Sequence, residues 1–353
     1  MTRPTLAYVL DPRFPGGTSA AVAAELAVTT RLARTSVHGL SGGMFKGQTA
    51  APVLADRLDD LGLRLSWDSP VIGADMILLH NPSFLRLEQQ IATRMICRDL
   101  VVITHENFLR PGDVPGFDVA HCLDLIARAS LSTRRWLAPV SPYNRAGVER
   151  WLSITGNPDG WKLLPWDWFN ICEFAPPDPM AQARAPRDRR GRLSRPGPEK
   201  FPSLDDLDLC FPPHASANVI LGADRLMDGG FAQPHWQLHR FGTLPVADFF
   251  DRIDFMVYFT APTWRESFGR VLAEAVGAGK VVLTDPATAQ PFGAGVIACT
   301  PSEVDAIIAH LVAQPDLYAQ QVRRGQERLT SFSGAEFARW FTDFQRPRQE
   351  HAA

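Results

Sequence analysis

The sequence predicts an α/β protein of two units, each built on a parallel sheet with helices on both faces. Its 353 residues exceed what one hydrophobic core usually serves, so two domains are expected. In both halves, short apolar runs alternate with longer periodic stretches. A stretch rich in proline and arginine at 175–213 separates the halves and is typical of a linker or surface excursion. We expect domains at 1–172 and 173–334, and a C-terminal helix and tail at 335–353 that cross back to the N-terminal domain.

The N-terminal half contains five candidate strands and five candidate helices. The strand candidates are short apolar runs at 6–10, 36–40, 75–79, 100–104 and 137–140. The helix candidates are longer periodic stretches at 18–34, 51–61, 83–95, 120–130 and 143–153. Strand–helix alternation of this kind favours a parallel sheet over an antiparallel one.

The C-terminal half repeats the alternation. Strands are expected at 218–222, 237–241, 255–259, 281–284 and 296–298. Helices are expected at 246–252, 269–278, 302–313, 315–329 and 335–344. Open parallel sheets bind ligands beyond the carboxyl ends of their strands, where loops lead into helix N-termini. We therefore look for chemistry in the loops that follow Leu10, Thr104, Gly222, Phe259 and Thr284.

Composition excludes several classes of protein. The chain has 36 basic and 38 acidic side chains, a net charge of −2 that cannot hold nucleic acid by phosphate contacts alone. Its five cysteines form no C-x-x-C pair, which argues against a disulfide framework or a thiolate zinc site. No apolar run approaches the ~20 residues that span a bilayer. We expect a cytoplasmic protein without a metal, which at most contacts the inner membrane surface.

The segment 260–285 carries the most informative pattern. It follows the strand candidate at 255–259 and reads T-A-P-T-W-R-E-S-F-G-R-V-L-A-E-A-V-G-A-G-K-V-V-L-T-D. Ser267 is a plausible N-cap of the next helix, and Gly279 suits its C-terminal end. The amides near Phe268, Gly269 and Arg270 would then form a positive helix end suited to a diphosphate.

Two glutamates flank these amides. Glu266 lies just before the expected helix and Glu274 lies inside it. Eight helical residues span roughly 12 Å, comparable to the reach from the ribose to the sugar of a nucleotide sugar. One carboxylate can then accept from ribose hydroxyls while the other meets the sugar. The alternative is that the two are solvated helix charges, since this spacing is common by chance.

The full string E-S-F-G-R-V-L-A-E-A, followed by A-G-K-V-V, is more specific than the spacing. It resembles the E-x7-E motif of retaining glycosyltransferases with two Rossmann-like domains facing across a cleft, the GT-B type, and especially family 4. The resemblance is strong over about 254–285 and weaker, but in order, elsewhere. It implies that Glu274 holds the ribose and Glu266 contacts the donor sugar. The backbone amides of Phe268 and Gly269 would meet the phosphates.

The loop D-P-R-F-P-G-G-T-S at 11–19 follows the first strand candidate and precedes a helix. Gly16 and Gly17 allow a tight turn with exposed amides, as a phosphate or sugar needs. A plain turn is the alternative. The loop is similar to the GT-B N-terminal glycine loop, and the resemblance implies that it reaches the donor.

The stretch G-R-L-S-R-P-G-P-E-K at 191–200 resembles the G-R-L-S…E-K element of the same family. There, an arginine and a lysine neutralise the donor diphosphate, which this fold typically binds without a metal. The resemblance assigns these roles to Arg192 and Lys200. Additional residues separate the two here, so Arg195 stands as an alternative to Arg192. The remaining alternative is a solvated linker patch of arginines.

Three smaller segments complete the resemblance. His105 follows a strand candidate in T-H-E-N, where relatives place a histidine that faces the donor sugar; a structural histidine is the alternative. Ser141, in S-P-Y-N-R, is expected to cap a helix. In L-P-W-D-W-F, Trp166 and Trp168 are expected to pack at the domain junction.

The resemblance implies a retaining transferase that works without a cofactor. Its nucleotide-sugar donor would bind mainly to the C-terminal domain. A glycan, a lipid-linked sugar as in polysaccharide biosynthesis, or a small metabolite would bind to the N-terminal domain as acceptor. Hinge closure would exclude water. The basic and apolar residues at 44–46 contact a membrane or acceptor, or form an ordinary surface loop.

Two other functions stay open. A sugar-nucleotide epimerase shares this architecture, although the E-S-F-G-R-V-L-A-E-A string favours a transferase. A non-catalytic nucleotide-sugar-binding homologue is consistent with the altered spacing between Arg192 and Lys200. The lack of G-x-G-x-x-G after Leu10 argues against a dinucleotide-binding module.

Overall fold

Two parallel sheets organise the chain. The computed structural model describes residues 3–14, 16–157, 159–174 and 185–345. The first unit comprises the described residues of 1–109, 113–171 and 332–353, and the second those of 110–112 and 172–331. Each unit contains one parallel sheet and its helices, so the predicted α/β architecture is confirmed.

The sheet of the first unit has seven strands in the order β3-β2-β1-β4-β5-β8-β9, and neighbours run parallel. The strands before residue 164 are β1 (Thr5–Leu10), β2 (Arg34–Gly39), β3 (Leu65–Trp67), β4 (Val71–His80), β5 (Arg94–Thr104), β6 (Leu109–Arg110), β7 (Val114–Pro115), β8 (Ser130–Pro139) and β9 (Lys162–Leu163). The short β6 and β7 pair separately. The second halves of β4 and β5 are buried, and they are apolar up to their final residues, His80 and Thr104, as expected of central parallel strands.

Four helices accompany these strands: α1 (Gly17–Thr29), α2 (Pro52–Asp60), α3 (Val119–Ala129) and α4 (Pro142–Thr155). The Ser141 hydroxyl accepts from the Asn144 N–H at 3.1 Å, which confirms the predicted cap of α4. Gly156, at φ 70°, ends that helix in the left-handed conformation that glycine adopts most readily.

The helix expected at 83–95 is wrong. The chain instead makes one 3-10 turn at Pro82–Leu85 and enters β5 at Arg94. Arg94 already pairs with Val71 of β4, so the hydrogen bonds of this region come from a distant strand. Tertiary pairing of this kind outweighs a weak local preference for helix.

The sheet of the second unit has six strands in the order β12-β11-β10-β13-β14-β15, again with parallel neighbours. The strands are β10 (Arg189–Leu193), β11 (Ala217–Leu221), β12 (Gln237–His239), β13 (Phe255–Tyr258), β14 (Val281–Thr284) and β15 (Ile297–Ala298). The helices are α5 (Leu204–Cys210), α6 (Asp224–Asp228), α7 (Val246–Asp251), α8 (Arg270–Gly277), α9 (Pro286–Ala289), α10 (Val304–Ala313) and α11 (Pro315–Thr330).

The prediction of a linker at 175–213 is wrong from residue 189 onward, where the chain forms β10. Residues 175–184 lie outside the described residues. β10 is an inner strand of the sheet, and Arg190 on it is fully buried. The Arg190 guanidinium donates to Asp188, Asp305 and the Cys210 carbonyl, so its charge is matched inside the fold. A buried, paired arginine looks polar in sequence, which is why the strand was missed.

The last described helix, α12 (Gly334–Gln345), belongs to the first unit and packs on α1. The buried Trp168 ring makes edge contacts with Phe337, Trp340 and Phe341 of this helix. Trp166 lies against Trp340 in the same cluster. The expected packing role of the two tryptophans is thus visible inside this unit.

The sequence composition led to expectations about the cysteines and about membrane-spanning helices. The five cysteines are all buried and none is in a disulfide. Among the described residues, no helix is both long and apolar enough to cross a bilayer.

We predict that Gly222→Ala destabilises the second unit. Gly222 follows β11 at φ 85°, and an added Cβ would lie 1.8 Å from the Ser194 carbonyl oxygen. The strained backbone alone costs about 1–3 kcal/mol, and the overlap adds to it. Gly230→Ala is the matched control, because Gly230 has φ 70° but open space around it. Urea denaturation should show a clearly larger loss of unfolding free energy for Gly222→Ala; equal losses would contradict this account.

Candidate active site

The carboxyl ends of β10 and β13 lie side by side in the second sheet. Arg192 is close to the end of β10, Tyr258 ends β13, and the loop 259–269 leads from β13 into α8. Ligands of parallel sheets bind beyond such strand ends. The predicted donor residues of this half therefore fall at the expected edge.

Glu266 is the centre of this edge. Its Oε1 accepts from the Lys200 Nζ at 2.6 Å and from the Tyr258 hydroxyl at 2.6 Å. Burial alone would raise the pKa of Glu266, but the charge and hydrogen bond of Lys200, with the Tyr258 hydroxyl, outweigh it and hold the pKa below its usual range. Glu266 is thus a fixed, ionised carboxylate in a mostly buried position.

Lys200 is presented by a 3-10 turn, Pro198–Lys200. Its Nζ also lies 5.0 Å from the centroid of the Trp264 ring, and the side chain is only 8% exposed. The Ala261 N–H donates to the Glu199 carbonyl at 3.1 Å, which ties this turn to the loop after β13. The extra residues between Arg192 and Lys200 therefore lie before this turn. They do not prevent the Lys200 side chain from reaching Glu266.

Arg192 is buried, with 1% of its surface exposed. Its Nη1 donates to the Phe259 carbonyl at 2.6 Å, and its guanidinium carbon lies 4.4 Å and 4.8 Å from the ring centroids of Phe201 and Tyr258. In the part of the chain that the structure describes, its Nε and Nη2 atoms have no hydrogen-bond partner. Burial lowers the pKa of Arg192. A solvated linker patch is therefore excluded for this arginine.

Arg195 differs from Arg192 in being exposed. Its charge adds to those that hold the pKa of Glu266 down, and it opposes the strong rise that burial causes in the pKa of the Tyr258 hydroxyl. The structure thus brings one exposed arginine, one buried arginine and Lys200 around a single carboxylate. Both arginines contribute positive charge here, and only Arg195 is open to solvent.

Helix α8 starts without a side-chain cap. Its N-cap is Gly269, at φ 87° and ψ 50°, so the predicted N-cap role of Ser267 is wrong. The left-handed Gly269 makes the turn itself, a conformation that other residues adopt only with strain. The first N–H groups of a helix have no intrahelical partner, and here they begin around Gly269 and Arg270. Gly279 follows the helix at φ 71°, which confirms it as the C-terminal glycine.

Two other predicted residues lie near the start of α8, one before it and one within it. Phe268 is buried and its ring lies edge-on to Phe292 at 5.7 Å. Glu274 lies on α8, where its Oε1 is 3.2 Å from the Arg270 Nε. Burial raises the pKa of Glu274, and Arg270 opposes that shift. Both side chains of the pair are nearly 30% exposed, so Glu274 is accessible to a ligand.

The glycine loop of the first unit lies where the motif predicts, between β1 and α1. Gly16 is the N-cap of α1 and Gly17 is its first residue. An added Cβ on Gly16 would lie 2.6 Å from the Phe14 ring, so this position is tight. Before it, Arg13 makes a two-pronged contact with Asp11, at 2.8 Å and 2.7 Å.

His105 directly follows β5 at the carboxyl edge of the first sheet. Its Nε2 is 3.0 Å from the His80 Nδ1, and the two rings stack at 5.2 Å. Burial lowers the pKa of His105 to about 3, so the ring is neutral near pH 7. The sequence reasoning placed His105 but missed His80, although His80 ends the neighbouring strand and is therefore a detectable strand-end residue.

Tyr258 was also missed. It reads as an aromatic strand residue, and only its position as the last residue of β13 distinguishes it. Within the described chain, Asp188, His214 and Asp305 are close enough to hold a metal ion. Arg190 already bonds both carboxylates, and Asp188 precedes β10 at the opposite edge of the sheet. This cluster is therefore separate from the Glu266 region.

Comparison with known proteins identifies the fold. No protein-family model and no curated protein matches the sequence. Anabaena HepE, solved with UDP and glucose, is similar with a TM-score of 0.65 and 16% identity over 97% of this chain and 99% of that chain. An α-glucosyltransferase solved with UDP-glucose and DNA containing an abasic site gives 0.56 and 10% over 98% and 100%. The α,α-trehalose 6-phosphate synthase of Burkholderia multivorans gives 0.54 and 12% over 98% and 96%. These are GT-B glycosyltransferases, and the chain has the GT-B fold.

Proposed function

We propose that the chain is a glycosyltransferase that uses a nucleotide sugar and holds this donor in its second unit. The observation that carries the proposal is the ionised Glu266, fixed by Lys200 and Tyr258 next to the start of α8. Lysine and arginine charges beside free helix amides form a site for an anion, and the carboxylate offers an acceptor for sugar hydroxyls.

The donor diphosphate would be bound without a metal. Arg195 would supply positive charge at the surface, while Lys200, paired with Glu266, and Arg192 would add charge from buried positions. The first amides of α8, around Gly269 and Arg270, would add the positive end of a helix dipole. Such fixed charges and dipoles can stabilise a leaving nucleoside diphosphate. Glu274 would accept from the ribose hydroxyls, since it is partly exposed on the first turns of α8.

The donor class that we propose first is a UDP-sugar. HepE and the α-glucosyltransferase were solved with UDP or UDP-glucose, and both share this fold. We further propose that transfer retains the anomeric configuration, as in the family that the E-x7-E string resembles. Attack would then occur on the face of the leaving group, with a donor phosphate oxygen receiving the acceptor proton.

The acceptor would bind to the first unit. A cavity of about 280 Å³ lies beyond the carboxyl ends of β2 and β3, lined by polar groups that include Ser41, Asp68, Glu88 and Gln90. The Asp68 carboxylate accepts from the Ser41 N–H and hydroxyl, so this wall is held in place. Carboxylates and hydroxyls suit a polyhydroxy acceptor such as a glycan or lipid-linked sugar.

We predict that Glu274→Ala weakens nucleotide binding. Loss of a carboxylate that accepts from ribose hydroxyls should raise the UDP dissociation constant about tenfold, or about 1.4 kcal/mol. Calorimetric titration with UDP, and with GDP for comparison, measures this. The matched control is Glu327→Ala, which removes an exposed glutamate on α11. If both variants bind UDP as tightly as the parent protein, the ribose role of Glu274 is wrong.

We predict that Glu266→Gln mainly lowers turnover. Glutamine keeps the size and an acceptor oxygen for Tyr258, but removes the charge that faces Lys200. Release of UDP from UDP-glucose should slow about 10²-fold, in the range seen when one stabilising group is lost, while UDP affinity stays within about threefold. Carbon-13 NMR of the product identifies its anomeric configuration. Accumulation of an epimerised sugar nucleotide instead of a transferred sugar would refute the transferase assignment.

A further inference from the structure

A continuous line of buried titratable side chains leads to His105 in the first unit. Glu25 on α1 and His80 at the end of β4 are both fully buried. The Glu25 Oε2 lies 3.5 Å from the His80 Nε2, and the His80 Nδ1 lies 3.0 Å from the His105 Nε2. Only His105, at the far end, is partly exposed. Three groups on three elements therefore form one path from the core to the carboxyl edge of the sheet.

The surrounding residues fix this geometry. The Trp168 indole N–H donates to the Glu25 Oε1 at 3.0 Å, which leaves Oε2 facing His80. The Tyr8 ring on β1 stacks on His80 at 5.5 Å, and its hydroxyl is 3.1 Å from the Thr29 Oγ1. Neither the Glu25 Oε2 nor the His80 Nε2 makes a hydrogen bond within the described chain, and at 3.5 Å from each other the two atoms need to approach only slightly to form one.

The charge state of the path depends on one proton. Burial raises the pKa of Glu25 to about 8, against the opposing effects of Trp168 and Tyr8. Burial holds the pKa of His80 well below its usual range, and that of His105 at about 3. The Tyr8 hydroxyl has a pKa raised well above its ordinary value, and the residues of α12 around Trp168 are aromatic. Near neutral pH, Glu25 is therefore the titrating group.

Hydrogen-bond direction then couples Glu25 to His105. When Glu25 is protonated, it donates to the His80 Nε2, so the His80 Nδ1–H donates to the His105 Nε2. His105 then carries its proton on Nδ1. When Glu25 is ionised, each hydrogen bond reverses, and the His105 Nδ1 becomes a bare acceptor.

We propose that Glu25 and His80 are positioning residues, which set the tautomer that His105 presents to a substrate. A proton added at the His105 Nδ1 moves the Nε2 proton of His105 to the His80 Nδ1, and the Nε2 proton of His80 to the Glu25 carboxylate. Only N–H and O–H bonds change, and the product is a neutral acid with two neutral imidazoles. The sugar-facing use of this tautomer rests on the proposed function.

The tautomer matters for what His105 can bind. With Glu25 protonated, the Nδ1–H donates, which suits a sugar hydroxyl or phosphate oxygen. With Glu25 ionised, Nδ1 can only accept, and it repels a phosphate oxygen electrostatically. A carboxylic acid in the core thus controls whether a partly exposed ring is a donor or an acceptor, through the direction of two hydrogen bonds.

The test is the tautomer of His105 in the full-length protein, measured without any ligand. Histidine labelled with nitrogen-15 in the ring gives separate signals for the two tautomers, and the His105→Gln variant assigns them. We expect His105 to change from the Nδ1–H to the Nε2–H tautomer as pH rises from 6.5 to 9.5. Glu25→Gln should abolish this change, because glutamine does not titrate. Glu149→Gln, the same substitution at an exposed glutamate of α4 in the same unit, should keep it.

Two outcomes overturn the proposal. One is a His105 tautomer in the parent protein that does not change over this pH range, which needs no variant to be seen. The other is an unchanged transition in folded Glu25→Gln. The pH profile of UDP release gives a second readout: its inflection near pH 8 should disappear in Glu25→Gln and remain in Glu149→Gln. If the tautomer switches but no nucleotide sugar reacts, the relay stands and the proposed function fails.

Discussion

The contact on which the second unit depends is the shared hydrogen bonding of Glu266 by Lys200 and Tyr258. A mostly buried carboxylate is costly unless a cation and a donor both satisfy it, and here each lies at 2.6 Å. The pairing also holds the loop after β13 against the turn that carries Lys200. The same loop leads into α8, so this pairing also positions the start of that helix.

Arg192 shows how the same region tolerates a buried cation. Its guanidinium lies between the rings of Phe201 and Tyr258, where the faces of the aromatic rings attract positive charge. One carbonyl, that of Phe259, completes the contact at 2.6 Å. The Tyr258 side chain therefore serves two purposes: its ring faces Arg192, and its hydroxyl donates to Glu266. A buried positive charge behind an ionised carboxylate favours anions at this edge without occupying the surface.

The first unit contains a buried acid, Glu25, that has no cation beside it. Glu25 has an indole N–H, an imidazole and the Tyr8 hydroxyl as polar neighbours, and burial raises its pKa to about 8, so it stays protonated near neutral pH instead of forming an ion pair. The two units thus hold their central carboxylates in different charge states. The neighbours decide this: an ammonium for Glu266, and neutral donors for Glu25.

The helix–strand alternation was enough to predict both sheets and most of their helices, because burial on two faces leaves long apolar runs. It failed at β10, where Arg190 replaces an apolar residue and is matched by Asp188 and Asp305. It failed again after Pro82, where the chain joins β4 as a strand and not as a helix. In both places, partners far along the chain supply the interactions that a local pattern cannot report.

The sequence by itself determined the two α/β halves, the C-terminal glycine of α8 and the candidate residues around Glu266. Only the tertiary structure decided which polar groups meet. Lys200 and Glu266 are 66 residues apart, and Trp168 and Glu25 are 143 apart. Residues from distant segments come together because crossovers place β10 beside β13 and β4 beside β5. Periodicity records whether a residue is buried, while strand order determines its neighbours, and the neighbours set the charge and hydrogen bonding of the site.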